Sequence, residues 1–198
     1  MRKKLLVSLS LALLVSLLST VVVWADEPSP DWSDPATVRN LVEQLATAGD
    51  NGAELWEQLP PEAQAAVLEY ATVERFETLV TTGHLDGGCK MVQVERRAFS
   101  PVGLHLFSYF QRIDFCYDGE AITSCTRSRW GEIYNGPWEF VGHVADVEQG
   151  GAGYNLYRSW TKGHFQMVIG GVPVQHVYPW IDMTVYGDGS WKHSSGGT

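Results

Sequence analysis

Six histidines and three cysteines bound the chemistry this chain can carry. His84, His105, His143, His164, His176 and His193 are scattered, and neither an H-E-x-x-H helix pattern nor a C-x-x-C spacing brings metal ligands together along the chain. No G-x-S-x-G elbow occurs, so a serine nucleophile has no recognisable setting. Cys125 as a thiol nucleophile needs a cationic neighbour, which Arg112 supplies in the strand register derived below. An inert cysteine on a sheet face is the plainer reading. Glu132 with Glu139, and Asp146 with Glu148, are carboxylate pairs whose spatial separation the sequence does not set, so glycosidic acid–base work has no geometric support. No catalytic residue, metal ligand set or cofactor motif is assigned.

Aromatic surface is what the chain has in excess. Of the eight tryptophans, Trp130, Trp138, Trp160, Trp180 and Trp191 fall in the last part of the sequence. Flat rings exposed on a β-sheet hold sugar faces or apolar ligands, with nearby polar groups fixing orientation. The binding candidates are therefore Trp138, Trp160, Trp180, His143, His164, His176 and Asp182. Trp180 alternates with Asp182 and Thr184, opposite in parity to Ile181, Met183 and Val185, which places it on an outer face. Trp130 is expected in the core.

The elements that must carry these residues are strands. Asp118-Gly119, between two runs rich in aromatic and β-branched residues, is a strong hairpin signal. A two-residue loop there puts Phe115 opposite Ile122, Phe107 opposite Trp130, Arg112 opposite Cys125 and His105 opposite Glu132. Phe107, Tyr109, Ile113 and Phe115 then share an apolar face with Ile122 and Trp130. Ser108, Arg112, Asp114, Thr123 and Arg127 make the wet one, and His105 with Glu132 reads as a plain cross-strand hydrogen bond, a metal pair being the alternative. Further strands are read near residues 90–99, 138–147, 154–169 and 172–186, with turns at 100–103, 135–137, 149–153 and 170–171. Short connections imply antiparallel pairing, so the fold class is mainly β (α+β overall): a sandwich or barrel of about six to eight strands. Pro173 and Pro179 cannot donate to a ladder and mark an edge or a bulge.

The same register sorts the cysteines. Cys116 and Cys125 are displaced by four residues, roughly 13 Å along the strands, and Cys89 and Cys125 lie two strands apart, about 9.5 Å, while a bridge needs Cα atoms within about 7 Å. Cys89 comes to within two residues of Cys116 on the same face, and one bulge or a slightly different loop closes that gap. The expected disulfide is Cys89–Cys116, with Cys125 free.

Ahead of the strands the character changes. Residues 1–25 join Arg2, Lys3 and Lys4 to an apolar run ending Val23-Trp24-Ala25, the pattern of a secretory signal peptide; a membrane anchor is the alternative, and no lipid-anchor cysteine sits at the cleavage point. Residues 26–86 hold 13 of the 23 acidic residues against only Arg39 and Arg75. That charge argues against nucleic acid or an anionic membrane as partner. Asp34-Pro35 starts a helix with Val38, Leu41, Val42 and Leu45 on one face; a short segment follows around Leu55, Trp56 and Leu59, and Pro60-Pro61-Glu62 opens another helix. Arg75-Phe76 and Leu79-Val80 suggest one more helix. These pieces are too short to stand alone, so they form either a subdomain docked on the β domain, residues 87–198, or a pro-region removed after secretion.

From about Cys89 to Trp191 the chain resembles a group of small secreted bacterial proteins, common in actinobacteria. The shared segments are Cys116-Tyr117-Asp118-Gly119, Arg129-Trp130-Gly131-Glu132, Arg158 to Phe165 and Tyr178-Pro179-Trp180-Ile181-Asp182. The resemblance implies a β domain and a secreted location, carries over no functional residue and leaves out the helical third. Three functional expectations follow: a non-catalytic extracellular domain binding a glycan or a protein; a small secreted hydrolase using Cys125 or a histidine with a carboxylate; or an antagonistic peptide masked by its helices.

Overall fold

The computed structural model describes residues 30–198; the leader expected over residues 1–25 lies outside the described residues. Three helices come first: α1 (Pro35–Thr47), α2 (Gly52–Gln58) and α3 (Pro61–Ala71), with a 3₁₀ turn at Gly49–Asn51. Asp34 caps α1 as its sequence suggested, accepting hydrogen bonds from the Ala36 and Thr37 amides. Nine strands follow: β1 (Arg75–Leu85), β2 (Cys89–Phe99), β3 (His105–Tyr117), β4 (Ile122–Ile133), β5 (Trp138–Gly150), β6 (Leu156–Ile169), β7 (Val172–Val177), β8 (Trp180–Tyr186) and β9 (Trp191–Gly196). All pairings are antiparallel, and the strands form two sheets, β1-β2-β3-β4 and β5-β6-β8-β9, with β7 also paired to β6. The mainly β reading holds, as a two-sheet sandwich and not a closed barrel.

One expected helix is a strand. Arg75, Phe76, Leu79 and Val80 fit helical spacing, but Phe76, Thr78, Val80 and Thr82 also alternate, and β1 pairs along its whole length with β2. The β-branched Thr78, Val80, Thr81 and Thr82 suit a pleated surface better than a helix. The strand region therefore begins at residue 75, ahead of the boundary at 86/87 drawn from composition.

The main hairpin is offset from its expected register. Phe115 lies opposite Cys125, Phe107 opposite Ile133 and Arg112 opposite Ser128. The connection spans residues 118–121 because the Asp118 carboxylate accepts from both the Glu120 and Ala121 amides, closing a wider turn, and a bulge follows at Cys116/Tyr117. The displacement is an odd number of residues, so the side chains of β4 change faces. Phe107, Tyr109, Ile113, Phe115 and Ile122 are buried as expected, but Trp130 is not in the core. It lies on the outer face, stacked on Phe110 at 4.7 Å. Arg127, expected to be wet, points between the sheets.

Cys89 and Cys116 are directly opposite and form the disulfide, and Cys125 is free. The two-residue gap closes in two steps, a connection one residue longer than expected, 100–104, and a bulge at Ala98/Phe99. Helices and sheets share one core: Val38, Leu41, Val42 and Leu45 of α1, with Ala63, Val67 and Tyr70 of α3, belong to the same buried cluster as Phe107, Trp138 and Phe165. Residues Asp31–Thr198 form one compact unit. The apolar stripes of the short helices thus close one end of the sandwich.

Candidate functional site

β6 alternates without a break. Tyr157, Ser159, Thr161, Gly163, Phe165, Met167 and Ile169 are buried between the sheets, which sends Arg158, Trp160, Lys162, His164 and Gln166 to the outer face of the five-stranded sheet. β8 does the same, burying Ile181, Met183 and Val185 and turning Trp180, Asp182, Thr184 and Tyr186 outward. Strand pairing then sets these side chains in rows: Lys162, Trp180 and Gly196; Trp160, Asp182 and Ser194; Arg158, Thr184 and Lys192. Five of the seven binding candidates, Trp160, Trp180, His164, His176 and Asp182, share this face.

Its polar centre is a fork. Arg158 donates from Nε to Asp182 Oδ1 at 3.0 Å and from Nη2 to Oδ2 at 2.6 Å. The carboxylate is well covered and the guanidinium half exposed, so Asp182 holds Arg158 in one orientation facing solvent. The same contact raises the guanidinium's affinity for its proton. Beside the fork runs an open groove of about 530 Å³ lined by Gln149, Arg158, Asp182, Tyr186, Lys192 and Ser194 among others. The Trp180 indole lies across β9 over Gly196, where an added Cβ would meet the ring at 2.7 Å. At the other end of the face, His164 stacks on Tyr178 at 4.6 Å and its Nε2 lies 2.9 Å from His176 Nδ1. Lys162 Nζ sits 5.0 Å from the Tyr178 ring centre.

Two candidates lie elsewhere. Trp138 is buried in the core, tilted against Phe107, and its indole N–H donates to the Ala71 carbonyl at the end of α3; it anchors the helices and presents no ring to a ligand. His143 sits on the opposite face of its sheet from His164. Bulges at Phe140/Gly142 and His143/Ala145 in β5 turn His143, Asp146 and Glu148 toward the first sheet. There His143 Nδ1 lies 2.9 Å from the Tyr109 hydroxyl, which also contacts Thr161. Arg127 and Arg129 both grip Asp146, and Arg127 reaches Glu148 as well, at 2.7 Å. This charged seam ties β4 to β5 where no backbone ladder joins them. Hydrogen bonding from Arg127 holds the Asp146 carboxyl below the usual range, while burial lowers the proton affinity of His143.

The expected Arg112–Cys125 and His105–Glu132 pairs do not form. Arg112 bonds Asp114, and burial pushes the Cys125 thiol up, the opposite of an activated nucleophile. His105 stacks between Phe99 and Tyr134, and its Nε2 contacts Ser108, whose hydroxyl donates to Glu95. Glu132 instead accepts from the Trp130 indole and the Tyr134 hydroxyl. Asp146 and Glu148 are both neutralised by arginine. His164 and His176 meet on the outer face, away from His143, which faces Tyr109 between the sheets. Among the described residues, no group of three or more His, Cys, Asp or Glu is placed to hold a metal ion. No protein-family model matches this chain, and neither does any curated protein or solved structure.

Proposed function

We propose that the chain is a secreted binding domain and that the outer face of its five-stranded sheet holds a glycan. The carrying observation is the placing of Trp160 and Trp180 on the same face as the Arg158–Asp182 fork, which itself lines an open groove. Indole faces cover the apolar C–H faces of sugar rings, and a fixed guanidinium–carboxylate pair offers donors and acceptors to neighbouring hydroxyls. Arg158 keeps Nη1 outside the fork, and each Asp182 oxygen accepts from only one Arg158 nitrogen, so capacity for a ligand remains. The Cys89–Cys116 disulfide is consistent with an extracellular protein, and among the described residues no helix is long and apolar enough to cross a membrane. Secretion with cleavage after Ala25 completes the reading.

The test is retention of the secreted chain on insoluble cell-wall polysaccharide, chitin and cellulose. Trp160→Ala and Trp180→Ala should each weaken retention about tenfold or more, equivalent to about 1.4 kcal/mol. Trp130→Ala, on the far sheet, should match the parent. No retention on any polymer, or equal retention by all four proteins, removes the glycan reading. An N-terminus at Asp26 in the culture supernatant is expected. A chain starting past Ala71 would instead support the masked-peptide reading.

A further inference from the structure

Two imidazoles meet at the end of this face remote from the fork. His164 projects from the central strand β6 and His176 from the short strand β7, where His176 lies opposite Gln166 in register. His164 is held flat against Tyr178, with the rings 15° apart, and the Tyr178 backbone N–H donates a hydrogen bond to the Thr198 carbonyl. His164 Nε2 and His176 Nδ1 face each other at 2.9 Å. Among the described residues, the remaining nitrogens, His164 Nδ1 and His176 Nε2, have no partner within the chain. A lone imidazole–imidazole hydrogen bond uses one proton and keeps both rings from being charged together, a poor use of two exposed bases.

We infer that His164 and His176 form a two-histidine site for a divalent late first-row metal ion of the zinc type. With metal–nitrogen distances of 2.0–2.1 Å, ligands at a right angle stand about 2.9 Å apart and tetrahedral ligands about 3.3 to 3.4 Å. The pair is therefore already at chelating separation, and a turn of the imidazoles that aims both lone pairs at one ion, in place of each other, completes the geometry. Imidazole with no thiolate suits Zn²⁺, Ni²⁺ or Cu²⁺ over the hard cations, which want oxygen. Two protein ligands leave the other positions to solvent or to an exogenous donor. Around the pair, Lys162 brings a positive charge beside Tyr178, and Glu139, fixed by Gln166 across β5 and β6, brings a negative one. The inference stands apart from the glycan reading, because it uses neither the fork nor the indoles.

Titrating the oxidised, leader-free chain with ZnCl₂ and NiCl₂ by calorimetry tests it. One ion per chain should bind, and His164→Ala and His176→Ala should each weaken binding by at least about tenfold, a ligand being worth no less than the outer partners that orient it. His84→Ala and His193→Ala should leave it unchanged. Long-range proton–nitrogen spectra of the parent should move at His164 Nε2 and His176 Nδ1 on adding Zn²⁺. No binding by the parent overturns the inference, as does binding that survives both substitutions or shifts confined to other histidines. His176 is exposed on a short outer strand, so circular dichroism of His176→Ala should match the parent and keep the comparison sound.

Discussion

Arg127 is 13% exposed at its side chain, yet its sequence neighbours gave it the look of a surface residue. It is kept between the sheets because Asp146, Glu148 and the Ser159 hydroxyl all meet it there. This contact makes stability depend on pH in a definite direction. Asp146 has its proton affinity lowered chiefly by the Arg127 hydrogen bond; for Glu95, burial raises it but bonds from Arg97 and Ser108 outweigh that and leave it lowered. A carboxyl depressed in the folded state contributes stability that is fully present above its unfolded value, near 4, and is lost as pH falls through the folded value. His105 and His143 are depressed mainly by burial, so their contribution is complete above about 6.5 and declines as pH drops below it. The urea midpoint should therefore be level between about pH 7 and pH 8 and, below that, fall in two stages, first below about 6.5 and then below about 4. Asp146→Asn should lower the midpoint at neutral pH and make the acid stage shallower. Parallel curves for the two proteins would contradict the role given to the seam.

At the scale of elements, alternation was legible and register was not. The burial of Phe107, Tyr109, Ile113 and Phe115 and the outward turn of Trp180 and Asp182 follow from period two alone. The placing of Trp130 and Arg127 depended on how many residues the Asp118 turn consumes, and a side-chain-closed turn of four is not distinguishable in sequence from a two-residue loop. Cys89–Cys116 rests on the neighbouring β2–β3 pairing and holds, whereas the expected four-residue displacement of Cys125 from Cys116 does not: Cys125 lies opposite Phe115, one residue from Ser124, the partner of Cys116. The bulges that turn His143 away from the face of Trp160 and Trp180 leave no mark in the alternation of β5, whose exposed Val141 and Val144 sit within them. The Gly170-Gly171 turn, with φ of +60° and +77°, was legible as a turn, but its contact with the helices was not. An added Cβ at Gly170 would stand 2.2 Å from the Gly52 carbonyl carbon of α2. Gly170→Ala combines a left-handed backbone with a rigid clash, and should cost at least about 2 kcal/mol in denaturant unfolding. An unchanged midpoint would show that α2 does not rest against this turn.

Residues 31–198 form a sandwich whose two broad outer faces both carry aromatic residues. On the first sheet, Trp130 is stacked on Phe110 and its N–H is bound to Glu132, so its polar edge is already used. On the second, Trp160 and Trp180 lie in the two rows next to a half-exposed guanidinium that borders a groove. The helices close one end and leave this second face clear, while Trp138 is spent on joining them to the core. The account therefore places recognition on one face of a rigid frame. The most direct measurement is a titration of the ¹⁵N-labelled chain with soluble cell-wall glycan fragments, following the indole N–H resonances. Shifts at Trp160 and Trp180, together with the Arg158 Nε–H, and a still Trp130 are expected; shifts centred on Trp130, with Trp160 and Trp180 unmoved, would contradict it.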